Sequence, residues 1–515
     1  MIAIGIRYLC GWAMATHPSD RNRAEWPPHP DRVFMALAAA HFETDQDPNE
    51  RKVLEWLESL PNPNIVASEA DYREIVTAYV PVNDTSMSRF KAGKMPSDDQ
   101  VKSALSLLPE NRSRQARTFP VAIPRDDTVF LIWPTADPPS HVMAALIQLC
   151  QKVTYLGHSA SLVQMWSDNG PANDNEPFIE NGQRLVYEPD DGISSLRLRI
   201  SGPGRIRMLE SRFQAQQRPS AGIWRGYRAM ANKSDVDRRE TVFSTDMLVL
   251  KLLPREDRRQ LGLSSTLQVT SALRSALVTF CENNVPEWLN GRQSDGTKSS
   301  SAHVAIVPLA HVGRKHADGH LLGAAIVLPK CLTTEQQCSH LQGFFYDATG
   351  VSREISIKLD GDIEEWRFQI EDRDGPERPV TLRPETWTEP GNGNSTFRWA
   401  SVTPIVLDRY YKHIEDMAEI IALSCERVTE LDGGPGTGVR PVGIELLPTS
   451  AFSGAGHARR DFPPLPEKFG KSPRCHTHAI LTFDEPLRGP LLLGAGRYLG
   501  YGFCRPLYEV EGNSQ

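Results

Sequence analysis

No CxxC pair occurs among the eight cysteines of this 515-residue chain, and the closest two, Cys331 and Cys338, have six residues between them. That spacing excludes a zinc-finger knuckle, and thiols scattered in this way read as buried cysteines of a reducing compartment. No apolar run reaches the ~18 residues needed to cross a bilayer. The stretches "HVMAALIQLC" and "MALAAAH" are too short for that. The N-terminus lacks a basic leader with a cleavage site, and "MIAIGIRYL" instead alternates Ile2, Ile4, Ile6 and Tyr8 with the period of a strand. A cytoplasmic protein with no membrane partner is the expectation. A general coat of positive charge is lacking too, since the net charge is −7. This does not exclude nucleic acid, because the footprint that matters is local.

Local basic runs are present. From Ser201 to Glu240 there are nine Arg or Lys against four Asp or Glu. "NRSRQAR" brings Arg112, Arg114 and Arg117 together, and "HARRDFPPLPEKFGKSPR" adds Arg459, Arg460, Lys468, Lys471 and Arg474. One strongly acidic stretch, "LDGDIEEWRFQIEDRDGPE", stands against them. Any single run could be a solvated face. Three of them offset by an acidic segment read as a segregated surface.

The length suggests two to four domains. The first half opens with a strand and then "EWPPHPDRVFMALAAAH", where three prolines lead into a helix starting near Asp31, with Trp26 pinning its entry rather than His29 serving as a contact. A second helix covers Glu50 to Leu60, strands follow at "TVFLIW" and "SSLRLRIS", and a helix begins between them after Ser140. The Arg-, Gly- and Gln-rich segment from Gly202 to Glu240 is the candidate boundary, giving domains 1–240 and 241–515. The second half begins afresh with "DMLVLKLL" and a helix in "SSTLQVTSALRSALVTFCEN". The strands "HVAIVPLAHV" and "LLGAAIVLP", the helix "TTEQQCSHLQGFF" and the strand "REISIKL" complete β, α, β, β, α, β, the order of a ferredoxin-like unit. The remainder could supply a second, more irregular copy, and the first half a third related fold. The fold class is therefore α+β, with repeated ferredoxin-like domains.

The chain then runs into "LLLGAGRYLGYGFCRPL", with Gly494, Gly496, Gly500 and Gly502 close together. No helix follows, which excludes a dinucleotide fold, where such glycines lead into the helix that holds the pyrophosphate. A strand, glycine turn, strand arrangement fits instead, with Arg497 and Tyr498 at its tip. Such a loop is either a tight structural hairpin or a cradle for phosphate.

"EWPPHPDRVFMALAAA", "LPENRSRQARTFPVAIP", "HVAIVPLAHVGRKHADGHLLGAAIVLP", "WASVTPIVLDR" and "GPLLLGAGRYLGYGFCRP", in that order, resemble the Cas-five/Cas-six fusion subunit of the type I-G (formerly I-U) CRISPR effector complex. That subunit belongs to the RAMP superfamily of RRM-like, ferredoxin-like RNA-binding proteins. The resemblance implies a first half that caps the 5′ end of CRISPR RNA and a second half that cuts the repeat. The expected partners are CRISPR RNA, the backbone and large subunits of the complex and, through them, target DNA. In the related endonucleases the glycine loop lies against RNA. By resemblance, Gly494, Gly496, Gly500 and Gly502 would admit a phosphate, Arg497 would neutralise its charge and Tyr498 would stack on a base. Arg112, Arg114 and Arg117 are expected to join the RNA-binding set.

Metal-independent RNA cleavage needs a base for the 2′-hydroxyl, an acid for the 5′-oxygen and positive charge around the phosphorane, and histidine suits the first two roles. His303, His311, His316 and His320 cluster within eighteen residues, after the first helix of the second half, where the related endonucleases carry their catalytic histidine. His303, following a serine run at the start of a strand, is the first candidate. His316, beside Arg314 and Lys315, is the second. The chain departs from its relatives at Asn290-Gly291-Arg292, where they carry Ser-Gly-His, and this weakens a two-histidine mechanism. His476 and His478 share a strand face leading to the glycine loop. No cofactor or metal is expected, because a metal pair at His316 and His320 would need a helix and Asp318-Gly319 between them favours a turn. The alternative to a nuclease is a scaffold that binds the RNA without cutting it.

Overall fold

The computed structural model describes residues 1–18, 20–81, 95–105, 108, 114–168, 184–194, 196–230, 239–282, 285–293, 295–362, 364–373, 377–389, 397–430, 436–465 and 474–507. Helices and strands alternate throughout, an α+β chain, and it divides into two compact units. The first is built mainly of residues 1–189 and 198–223, and the second mainly of 224–374 and 378–515.

In the first unit, β1 (Ile2–Tyr8) takes up the alternation read from the sequence. It lies between β3 (Thr128–Trp133) and β4 (Val163–Asp168), and β2 (Asn64–Ser68) and β5 (Arg184–Asp190) continue the sheet in the order β4-β1-β3-β2-β5. Neighbours among these five strands are antiparallel. Pro30 opens α1 (Pro30–Phe42), where its missing N–H costs nothing. α2 (Pro48–Leu57) and α3 (Ser140–Lys152) pack with α1. The Trp26 indole donates to the carbonyl of Ser68 at 2.8 Å, fixing the approach to α1 as the sequence suggests. His29 is buried as the N-cap of α1. Burial lowers its pKa to about 4 although the buried Glu25 carboxylate pulls the other way. Residues 202–240 include a helix, Arg205–Gln214, and a strand, Ile223–Met230.

In the second unit, β6 (Leu248–Leu252), α4 (Thr266–Phe280), β7 (Ala305–Ala310), β8 (Leu321–Val327), α5 (Thr334–Phe345) and β9 (Glu354–Ile357) follow in the order expected. The acidic stretch adds a strand that the charge reading missed, β10 (Trp366–Ile370), whose Trp366, Phe368 and Ile370 are buried. The sheet runs β7-β8-β6-β10-β9, so β10 pairs with β6 and β9 becomes the outer strand. A second sheet holds β11 (Arg398–Ser401), β12 (Ile405–Val406), β13 (Gly443–Leu447), β14 (His476–Thr482) and β15 (Cys504–Pro506). Its order is β12-β14-β11-β15, with β13 also paired to β14, and α6 (Ile414–Thr429) supplies part of its core. Trp387, Phe503 and Tyr501 join the large core that continues under the first sheet. No helix among the described residues is long and apolar enough to cross a membrane.

Candidate active site at the start of β7

Two distant segments meet at His303. The backbone N–H of Val304 donates to the carbonyl of Trp288 at 2.8 Å, fixing the entry to β7 beside the short helix Glu287–Asn290. That helix ends at Gly291 with φ +70°, so close that a Cβ there would lie 2.6 Å from His303 Nε2. The glycine of Asn290-Gly291-Arg292 is therefore what lets the imidazole sit where it does. On its other side the ring stacks on Tyr498, with centroids 3.4 Å apart and planes 24° from parallel.

Tyr498 comes from the glycine loop, which folds as one 3-10 turn, Arg497–Leu499. Gly494, Gly500 and Gly502 take φ of +76°, +81° and +68°, conformations that L-residues rarely adopt. Space is as restrictive as conformation. A Cβ would come 2.2 Å from the Val406 carbonyl oxygen at Gly494 and 1.9 Å from that of Leu493 at Gly502. At Gly496, where φ is ordinary, it would meet the Tyr501 Cβ at 2.7 Å. At each of these positions the chain's own atoms occupy the direction a side chain would take, so packing alone requires glycine there. At the tip, Tyr498 gives one ring face to His303 and meets Phe243 in a T-shaped contact with centroids 6.2 Å apart. Arg497 lies over the Tyr498 ring at 4.8 Å, donates to the Gly494 carbonyl at 2.8 Å and stands 3.7 Å from Asp408 Oδ1.

Sequence reasoning missed Arg274, the cation that ties together the three segments around His303. It sits inside the apolar helix α4, and its guanidinium donates to the carbonyls of Leu289 and Tyr498, each at 3.0 Å, and to that of Val304. Burial pulls its pKa down to about 10. A lone arginine among "LQVTSALRSALV" was the available signal, but its partners are backbone carbonyls that no sequence displays. For His303, burial foremost and then the nearby Arg274 charge lower the pKa to about 4, against a weak opposing contact with the Ser301 carbonyl. The imidazole is neutral at physiological pH, with two cationic side chains beside it.

His316 is placed elsewhere. It is exposed, with φ +60°, on the loop that follows β7, whereas His303 precedes that strand. The six residues of β7 at ~3.3 Å each put about 20 Å between the two ends. His311, Asp318 and His320 gather on the same loop as His316. On β14, His478 is fully buried against Ser401 and held near pKa 4 chiefly by burial, and His476 packs on Tyr501. These two are built into the core. Arg114 and Arg117 are exposed on the strand Arg114–Thr118 of the first unit. Arg112, Lys468 and Lys471 lie outside the described residues.

Asp408 also lines an open cleft with Arg409, Tyr410, Lys412, Arg459 and Arg474. Tyr410 is 85% exposed and stacks on Tyr411 at 5.9 Å. Exposed aromatics among cations are what surfaces for single-stranded nucleic acid offer. The Arg497–Asp408 contact joins this cleft to the glycine loop.

The model of a CRISPR-associated protein family, the GSU0054 family, matches residues 5–429, ending short of the glycine loop. Among solved structures, a CRISPR protein from Archaeoglobus fulgidus matches at 12% identity and a TM-score of 0.17, over 39% of this chain and 71% of that one. No curated protein matches.

Proposed function

Because the chain belongs to the GSU0054 family of CRISPR-associated proteins, and so to CRISPR-Cas antiviral defence, we propose that it is the Cas-five/Cas-six fusion subunit of a type I-G effector complex, cutting repeat RNA without a metal. The observation that carries this reading is His303, a neutral imidazole stacked on Tyr498 beside Arg274 and Arg497. The β7-β8-β6-β10 order, with the first strand between the third and the last, supports a ferredoxin-like unit in the second half.

In the reaction, His303 accepts the proton of the 2′-hydroxyl. The 2′-oxygen bonds to the adjacent phosphorus, and the bond from phosphorus to the 5′-oxygen breaks to leave a 2′,3′-cyclic phosphate. The imidazolium so formed is the acid at hand for the departing 5′-oxygen, since His316 lies beyond β7. Arg497, half-buried and close to the ring, offsets charge on the phosphorane. Arg274 has its described hydrogen bonds on carbonyls and acts as a positioning residue. The cleft at Arg409, Tyr410 and Lys412 receives the single strand leading to the cut.

A scaffold that binds CRISPR RNA without cutting it is the second reading, favoured by the close packing of Gly291 and Tyr498 about the His303 ring. Incubating the purified protein with repeat RNA in EDTA separates the readings. Cleavage supports the histidine mechanism, loss of cleavage on chelation supports a metal, and binding without cutting supports the scaffold. For the nuclease, the acid limb of kcat/KM, which reports the free enzyme, should fall well below the ordinary histidine value of 6.5, toward about 4. A limb at 6.5 would remove His303 as the base. The same depressed value makes stability pH-dependent: the unfolded chain binds the proton first, so the contribution is intact above 6.5 and is lost as pH falls toward 4. Circular dichroism at each pH therefore accompanies the rates.

Affinity should also depend on salt. If Arg409, Lys412, Arg459 and Arg474 each neutralise one phosphate of a single strand, log K should fall against log salt with a slope of about −3, at roughly −0.7 per contact. The double variant Arg409→Ala/Lys412→Ala should lower that slope by about 1.4. An unchanged slope would remove the cleft from the RNA path.

A further inference from the structure

β7 and β8 are joined by the loop 311–320. Its backbone is closed by two hydrogen bonds, from His311 N–H to the His320 carbonyl at 2.8 Å and from Gly319 N–H to the His311 carbonyl at 3.0 Å. This closure sets the two imidazoles side by side, with centroids 5.4 Å apart. Asp318 reaches both: its Oδ1 is 3.8 Å from His311 Nδ1 and accepts a short hydrogen bond from His320 Nδ1. One donor atom from each of the three residues lies within 4.8 Å of the other two.

We propose that His311, Asp318 and His320 form a binding site for a divalent first-row cation, with zinc the best match. Two imidazoles and one carboxylate are a borderline-soft nitrogen and oxygen set, unsuited to calcium or magnesium, which take oxygen cages. Zinc bonds such donors at about 2.0–2.2 Å. Three donors around one ion would therefore be roughly 3.5 Å apart, so Asp318 and His320 must open from 2.5 Å and His311 and Asp318 close from 3.8 Å, shifts of about 1 Å or less that side-chain rotation supplies. The loop is held by its surroundings. Gly319, with φ +77°, packs on the Gly454 carbonyl so tightly that a Cβ would come within 2.1 Å of its oxygen, and its own carbonyl accepts from Leu263 N–H at 3.0 Å. The ligands are thus gathered before any ion arrives, which reduces the ordering cost of binding.

Solvent reaches the group, since the His311 and His320 side chains are 25% and 28% exposed and that of Asp318 is 58%. A cation can enter, and three protein ligands leave a coordination position open. The exposed Arg314 and Lys315 on the same loop oppose a cation, and Asp318 is the carboxylate that offsets them. Metal would take the place of the hydrogen bond between Asp318 and His320 Nδ1, and because an imidazole must be neutral to coordinate, binding should weaken in acid. The site lies beyond β7 from His303 and uses neither His316 nor the RNA-cutting residues, so it stands whether or not the chain is a nuclease.

The test is calorimetric titration of zinc and, for its visible spectrum, cobalt into the EDTA-stripped full-length protein. One saturating equivalent per chain is expected, with a cobalt absorption that fades as pH falls. His311→Ala and Asp318→Asn should each weaken binding at least ~10-fold, and His311→Ala/His320→Ala should abolish the equivalent, whereas His316→Ala should leave it intact. Absence of saturable binding to the folded wild type overturns the proposal. So does an equivalent that survives in a folded His311→Ala/His320→Ala variant. If that double variant fails to fold, Asp318→Asn decides alone: unchanged affinity and an unchanged cobalt spectrum overturn the site.

Discussion

His303→Ala is expected to cut repeat RNA about 10²- to 10⁴-fold more slowly than the wild type while binding it within a few-fold of the same affinity. A general base acts on the transition state, whereas on the proposed reading ground-state affinity would come from phosphate and stacking contacts in the cleft around Arg409, Tyr410 and Arg474. The substitution also removes the partner on which Tyr498 stacks, so the loop could shift and lower the rate indirectly. His303→Gln is the control, because it fills most of the same space next to Gly291 without a basic nitrogen. If Gln matches Ala, the loss is chemical. If Gln restores the rate, His303 is a spacer. His316→Ala should cut at the wild-type rate, being exposed beyond β7. The reverse pattern, a fast His303→Ala and a slow His316→Ala, would move the chemistry to the loop 311–320. Wild-type rates in both would place the chemistry away from both histidines.

Much of the second unit was legible because its apolar periods are strong. The short β run before α4, the helical spacing of Val269, Leu273 and Leu277, and the two strands flanking the histidine loop all appear where expected. β10 was overlooked because charge was read before period: Trp366, Phe368 and Ile370 alternate with Arg367 and Gln369, which is strand spacing even inside an acidic run. The site was legible only in part. His303 and Tyr498 were each singled out, yet they are 195 positions apart and only the fold stacks them. That His303 and His316 sit at opposite ends of a strand could have been inferred, since a six-residue strand between two groups is a spacer and not a bridge. Arg274 was out of reach, because what it binds is three carbonyls supplied by three different segments.

The glycine loop gives the other large effect, and it should be on the fold. Gly502→Ala should destabilise the second unit by about 2–5 kcal/mol, the sum of roughly 1–2 for a left-handed L-residue and 1–3 for overpacking, because its Cβ would be 1.9 Å from the Leu493 carbonyl oxygen. That carbonyl cannot yield cheaply. Leu493 N–H donates to the Gly502 carbonyl at 3.0 Å and Gly502 N–H to that of Pro404 at 2.8 Å, so moving one strand of the loop strips hydrogen bonds from both. The comparison that isolates the steric part is Gly296→Ala, in the same unit. Gly296 has φ +81° but nothing within 4 Å of its Cβ position, so it should cost only the conformational part, about 1–2 kcal/mol. Denaturant midpoints at equal m-value give both numbers. Equal losses would mean that the loop has room at Gly502 and that its glycines could be kept for a ligand. A larger loss at Gly502, with RNA affinity unchanged in the fraction that stays folded, assigns the glycines to holding Tyr498 against His303.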